Sequence, residues 1–247
     1  SDAVRQAAWA EGFPFAYHYE SESGPNQASM SFDRAGASLG GSFEGGTGPV
    51  AVPELSVPSV DVSFGAGSTE VRVPFGPGPG EFRYAVSLGE LVVGEAAWAA
   101  LDPQGLLPRG PFSLQADVGG RATLDLGAAL ASESAGKAPP VPSIEALEVR
   151  SLALSAAGVV ATASGSFTFD NGSGTPVPSG RAEARVEGLD RLIDAVVAMG
   201  WITPGDARDA RLGLAVAFRA GDGPDVRVME LEARPDGAVI VNGVQVQ

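Results

Sequence analysis

The chain contains no cysteine, which excludes disulfides, thiolate nucleophiles and cysteine-ligated zinc or iron–sulfur centres together. Histidine is nearly as scarce, with His18 alone, and one imidazole cannot build a histidine-rich metal site. Lysine is reduced to Lys137, while 15 arginines are scattered singly among 30 acidic residues. With a formal net charge of −14 and no basic cluster, no nucleic-acid partner is expected, because affinity for phosphates comes from grouped Lys and Arg. Anionic membrane surfaces are disfavoured for the same reason. No stretch approaches the roughly 20 apolar residues of a membrane helix, so no transmembrane segment is expected in this chain. Its opening, Ser1-Asp2-Ala3-Val4, has neither Met nor a basic and then apolar leader. We read it as the mature part of a secreted protein that has lost a signal or anchor segment.

What the chain has in quantity is glycine and proline, 34 and 19 residues, with 44% hydrophobic and only 19% charged residues. Such a composition implies many strands separated by many turns. The abundance of Ala, Gly, Pro and Arg over Lys reads as a GC-rich coding bias, so a glycine is no functional signal by itself. At 247 residues a core can form unaided, since about 70% of the unfolded surface is removed at this size. We expect a single β-rich domain over 1–247. The alternative is two sub-halves, 1–131 and 144–247, joined by a Gly/Pro linker at 132–143 that contains Gly136, Pro139, Pro140 and Pro142.

Residues 1–11 are expected to form a short helix with Asp2 as N-cap and Gly12 as stop. A run of period-two segments follows, the mark of sheet with one face buried and one wet. Residues 28–43, broken at Gly36, read as a hairpin; Val60/Val62/Phe64, Val71/Val73 and Phe82/Tyr84/Val86/Leu88 alternate with polar residues. Gly45 through Pro58 reads as a loop or irregular edge, and Gly76 through Gly80 as a turn. Gly94 to Leu101 breaks the alternation with helix formers and stops at Asp102-Pro103. Two strands around Gly119-Gly120, 112–118 and 122–126, suggest a two-residue hairpin. Beyond the linker, 144–155 and 159–169 pair around Ala157-Gly158, and a strand at 181–187 follows the loop Asp170 to Gly174. Leu189, Leu192, Ile193, Val196 and Val197 form one apolar helix face. Thr203-Pro204-Gly205-Asp206 opens a second helix, to Ala217, with a capping box. Pro235-Asp236-Gly237 and Asn242-Gly243 are closing turns.

Several of these segments resemble an uncharacterised family of bacterial envelope proteins, a domain of unknown function broadly reminiscent of the AsmA-type proteins that handle lipids. The matching pieces are Val93 to Pro108 around Ala97-Trp98-Ala99-Ala100-Leu101-Asp102-Pro103, Leu147 to Asn171 ending in Phe167-Thr168-Phe169-Asp170-Asn171, Leu192 to Trp201, and Asp236-Gly237 through Val241-Asn242-Gly243. They cover the second two thirds of the chain, with 1–80 only loosely similar. They are turns and helix faces rather than catalytic signatures. The resemblance implies a periplasmic or envelope location and a β-rich architecture, and carries no site residues across.

No constellation of base, nucleophile or metal ligands emerges. Gly36-Ala37-Ser38-Leu39-Gly40 matches the G-x-S-x-G nucleophile elbow, yet His18 precedes the serine, against the chain order of that fold. Ser134-Ala135-Gly136-Lys137 matches S-x-x-K but sits in the linker. Asp190 with Asp194 and Asp222 with Asp225 follow neither the EF-hand nor the nonapeptide calcium pattern. Asn171-Gly172-Ser173 is a chance sequon at this composition. Trp9, Trp98 and Trp201 are expected to anchor helices on the sheet. We therefore assign no catalytic, cofactor-binding or metal residue and no cofactor, and expect the chain not to be an enzyme.

The expected fold is α+β and mostly β: a large curved antiparallel sheet, or two, with short helices packed on one face. An outer-membrane barrel is disfavoured because the outward strand faces are charged and no aromatic girdles flank them. Small and branched aliphatics dominate the strands, so a curved sheet could leave a smooth groove for a lipid or another apolar ligand. Against this stands an ordinary core, with the helices at 94–101, 188–201 and 204–217 covering that face, which we favour from the sequence. Two functional expectations follow: a periplasmic protein that binds or transfers an apolar ligand, or an assembly factor of the envelope acting on a protein partner through exposed strand edges.

Overall fold

The structure, a computed structural model, describes residues 3–7, 16–23, 26–33, 35–50, 60–172 and 174–246. In chain order its first strands are β1 Ala3–Ala7, β2 Ala16–Ser23, β3 Asn26–Phe32, β4 Gly36–Phe43, β5 Gly46–Val50, β6 Val60–Phe64, β7 Gly67–Pro74 and β8 Gly80–Val93. Helix α1 (Glu95–Leu101) leads to β9 Phe112–Thr123, and α2 (Leu126–Ser134) to β10 Ser143–Ala156, β11 Val159–Asp170 and β12 Val177–Glu187. After α3 (Leu189–Ala198) and α4 (Pro204–Ala217) come β13 Arg219–Ala220, β14 Val226–Ala233, β15 Val239–Val241 and β16 Val244–Gln245.

Among the described residues, fourteen strands form one open antiparallel sheet. They run in the order β1-β2-β3-β4-β7-β8-β9-β10-β11-β12-β14-β15-β16, with β13 pairing β14 beside β15. The β5–β6 hairpin attaches to the end of β8 through Val62↔Val93 and Ser63↔Val92. Neighbours in the sheet are nearly all neighbours in sequence, as short turns between alternating segments require. The sheet runs through the Gly/Pro segment without interruption, because β9 and β10 pair from Ser143↔Thr123 to Ser155↔Ser113.

Four sequence expectations are corrected. Residues 3–7 are a strand, not a helix, pairing with β2 from Ala3↔Glu20 to Ala7↔Ala16; the ladder satisfies backbone groups that a weak helical propensity could not hold. The rest of that expected helix, with Trp9, lies outside the described residues. Gly46–Val50 belongs to a hairpin with β6 rather than a loop, while 51–58 lie outside the described residues. Gly119-Gly120 is not a turn, since β9 continues through it. A Cβ at Gly120 would stand 2.0 Å from the carbonyl oxygen of Ala146, at the irregularity where β10 shifts register between Ile144 and Ala146. Close approach, not chain reversal, requires glycine there. The expected linker begins as helix: Asp125 accepts a hydrogen bond from the Ala128 N–H at 2.8 Å and starts α2.

Antiparallel alternation brings the connections through α1 and through α3–α4 to one end of the sheet. There Leu91↔Phe112, Ala156↔Val159 and Glu187↔Val226 are partners. The compact core lies at this end, where Val60, Trp98, Leu107, Val159, Ile193 and Val226 are buried. Trp98 stacks on Phe112 with ring centroids 6.2 Å apart. Asp225, before β14, caps α3 by accepting from the Asp190 and Arg191 N–H groups at 2.8 and 3.0 Å. Trp201 does not anchor a helix; it is exposed at the α3–α4 turn.

Candidate functional site

Strand pairing sorts the side chains of the sheet into two contrasting faces. One row runs across ten strands through Met30, Leu39, Val71, Tyr84, Val118, Val149, Gly165, Ala182, Leu231 and Val241, each opposite the next in register. Residues two positions away on each strand share its face. They include Val73, Phe82, Val86, Leu88, Leu114, Leu147, Leu152, Leu154, Ala163, Phe167, Ala184 and Met229. Arg227 is the only charge among the register-aligned positions of this face from β3 to β15, and it lies at the helical end, donating to Asp190 Oδ2 at 2.7 Å.

Helices cover this apolar face only at that end. Across its middle Tyr84 and Leu39 remain 50% exposed and Leu152 38%, and even toward the helical end Leu154 and Leu114, in the row of Arg227, are 44 and 42% exposed. The covered core favoured from the sequence is therefore not formed there. The reason is topological: α1, α3 and α4 are inserted between strands at one end of the sheet and α2 at the other. A smooth apolar surface open to solvent is what remains.

The opposite face is polar and internally neutralised. Arg83 bridges Glu70 at 2.7 Å and grips Asp117 with two nitrogens at 3.1 and 2.9 Å. Asp117 also accepts from Arg150 at 3.1 Å, and Arg150 reaches Glu148 at 3.0 Å. This ladder crosses β7, β8, β9 and β10. Beside it Arg181 approaches Glu232 at 3.6 Å, and Arg219 pairs with Glu230. The Arg83 hydrogen bonds, aided by Arg150, hold the Asp117 carboxyl below the usual carboxylate range, while Asp117 raises the Arg83 guanidinium in turn. A hollow of about 760 Å³ lies over this face between Glu148, Arg150, Ser166, Arg181, Glu183 and Glu232. Its arginines and most of its carboxylates already hold one another.

Each motif of the sequence has a structural place. Ser38 lies within an extended strand and hydrogen-bonds the Ser31 hydroxyl at 2.7 Å, so Gly36 to Gly40 is not a nucleophile elbow. Ser134 ends α2 and donates to the Leu130 carbonyl. Asp190 and Asp194 both receive Arg211, which ties α3 to α4. Asp225 is the α3 cap, and Asn171 donates to the Ile144 carbonyl. The backbone of His18 pairs with Arg5 and Ser31, and its side chain lies outside the described residues, as does Ser173. Among the described residues no group of three His, Asp or Glu could hold a metal ion. Among the described residues no helix is long and apolar enough to cross a membrane.

A family model described as an uncharacterized protein conserved in bacteria, DUF2125, matches residues 21–246. The chain belongs to the DUF2125 family. No curated protein and no solved structure matches it. In this DUF2125 chain the match extends further toward the N-terminus than the segments that carried the resemblance, and takes in β3, β4 and β7. Both faces of the sheet thus lie within the family's domain.

Proposed function

We propose that the chain is a non-catalytic protein of the bacterial periplasm or cell envelope that binds or transfers a lipid or another apolar ligand. The observation that carries this reading is the apolar sheet face, with Leu39, Tyr84, Leu114, Leu152 and Leu154 open to solvent. An exposed apolar patch of this kind marks a binding surface. Acyl chains suit it because each buried CH₂ contributes about 0.8 kcal/mol without needing a directional partner. The location rests on the resemblance to envelope proteins and on a cysteine-free composition compatible with it.

An assembly factor that binds an envelope protein is the second reading, favoured by the exposed Val244 and Val246 at the β16 edge. Native mass spectrometry of protein taken from the periplasm, followed by solvent extraction and lipid analysis, separates the two. A stoichiometric lipid supports the carrier. A protein without bound lipid that also fails to take up a fluorescent fatty acid overturns the carrier and leaves the assembly factor.

A further inference from the structure

An open sheet can cover only one side of a hydrocarbon chain, and the apolar face is larger than one such chain. The five longest strands, β8 to β12, lie side by side with β14 next to β12. At about 4.8 Å per strand and about 24 Å of strand length they present roughly 700 Å². Two such faces bury about 1,400 Å² together, inside the roughly 1,200–2,000 Å² of a standard stable interface. The geometry points to a second copy of this chain as the cover: two molecules stack apolar face to apolar face as an aligned β-sandwich.

Three further features favour this occupant. Sheets pack about 10 Å apart, and the ion-pair ladder around Asp117 points away from the contact on each copy. The two negatively charged molecules thus hold their facing charges apart by more than the Debye length of about 8 Å at physiological salt. The apolar face itself brings no charge to the centre of the contact. Its relief is also self-complementary. Tyr84 projects on β8, while Gly165, in the same register row on β11, leaves a gap. A two-fold axis running along the strands between β9 and β10 sets Tyr84 of each copy over Gly165 of the other, as an isologous pair requires.

The inference does not need the ligand reading, and the test separates them. Sedimentation velocity of the lipid-extracted full chain is expected to show a dimer at micromolar concentration. Leu152→Lys and Leu114→Lys, at exposed positions, are expected to give monomers with unchanged circular dichroism. Thr162→Lys on the polar face keeps the dimer. Because the chain has no cysteine, Leu152→Cys supplies a second readout, a dimer joined by a short bis-maleimide that spans the roughly 11 Å between mates one strand apart on sheets about 10 Å apart, and that Thr162→Cys does not form. A monomer at 100 µM, or a dimer indifferent to both leucine substitutions, overturns the inference. A monomer that carries stoichiometric lipid overturns it while leaving the carrier reading standing; a lipid-free dimer that takes up no fatty acid supports it while the carrier reading fails.

Discussion

Asp102 is fully buried, and its two carboxylate oxygens accept the Leu106 and Leu107 N–H groups at 3.0 and 2.8 Å. These backbone donors, Leu107 foremost, hold its carboxyl below the ordinary range. In the sequence Asp102 is only the residue before Pro103 that ends a helix; the fold makes it the acceptor that shapes the chain toward β9. Asp102→Ala leaves buried donors unpaired, whereas Asp102→Asn keeps one acceptor oxygen. Urea unfolding is expected to order the midpoints wild type, Asn, Ala. Thr203 was fully legible: its hydroxyl accepts from the Asp206 N–H at 3.1 Å, and Asp206 accepts from the Thr203 N–H at 2.9 Å. Thr203→Ala is expected to cost about 1 kcal/mol, measured by the same denaturation.

For single elements, the strands were legible wherever polar and apolar residues alternate without interruption, as in β8 and β11. The glycines of β9 were not, because a pair of glycines serves a turn and a close strand approach equally well. Only the neighbouring strand decides. Gly120→Ala forces a methyl group onto the Ala146 carbonyl, and overpacking of this kind costs typically 1–3 kcal/mol; a lower thermal midpoint checks it. The ladder through Asp117 gives a pH dependence that belongs to four strands. Its folded carboxyl titrates below its unfolded value of about 3.9, so the stabilisation is complete above that pH and is lost as pH falls through the lower, folded value. Asp117→Asn removes this component. The acid limb of its stability curve is expected to be shallower than that of wild type below about pH 4.

The whole molecule carries an exposed apolar face in its native state, and this is measurable directly. An environment-sensitive hydrophobic dye is expected to bind the folded Leu114→Lys monomer, whose apolar face is uncovered, more than the wild-type dimer, and adding Tyr84→Glu to that monomer to weaken the binding. Exposed positions away from the core tolerate substitution within about 0.5 kcal/mol each, so the unfolding midpoint should move little. Alternation, turn residues and the capping box were enough in the sequence to determine a mostly β antiparallel chain with helices expected at 94–101, 188–201 and 204–217, which form at Glu95–Leu101, Leu189–Ala198 and Pro204–Ala217. They also determined which residues share a strand face, because side-chain direction follows from a period of two. What covers a face depends on where the helices enter the sheet and how far they reach, which is set by strand order and register between residues distant in sequence. Tertiary structure alone therefore decided that α1, α3 and α4 gather at one end, that arginines and carboxylates neutralise one another on one side, and that no helix covers the middle of the other.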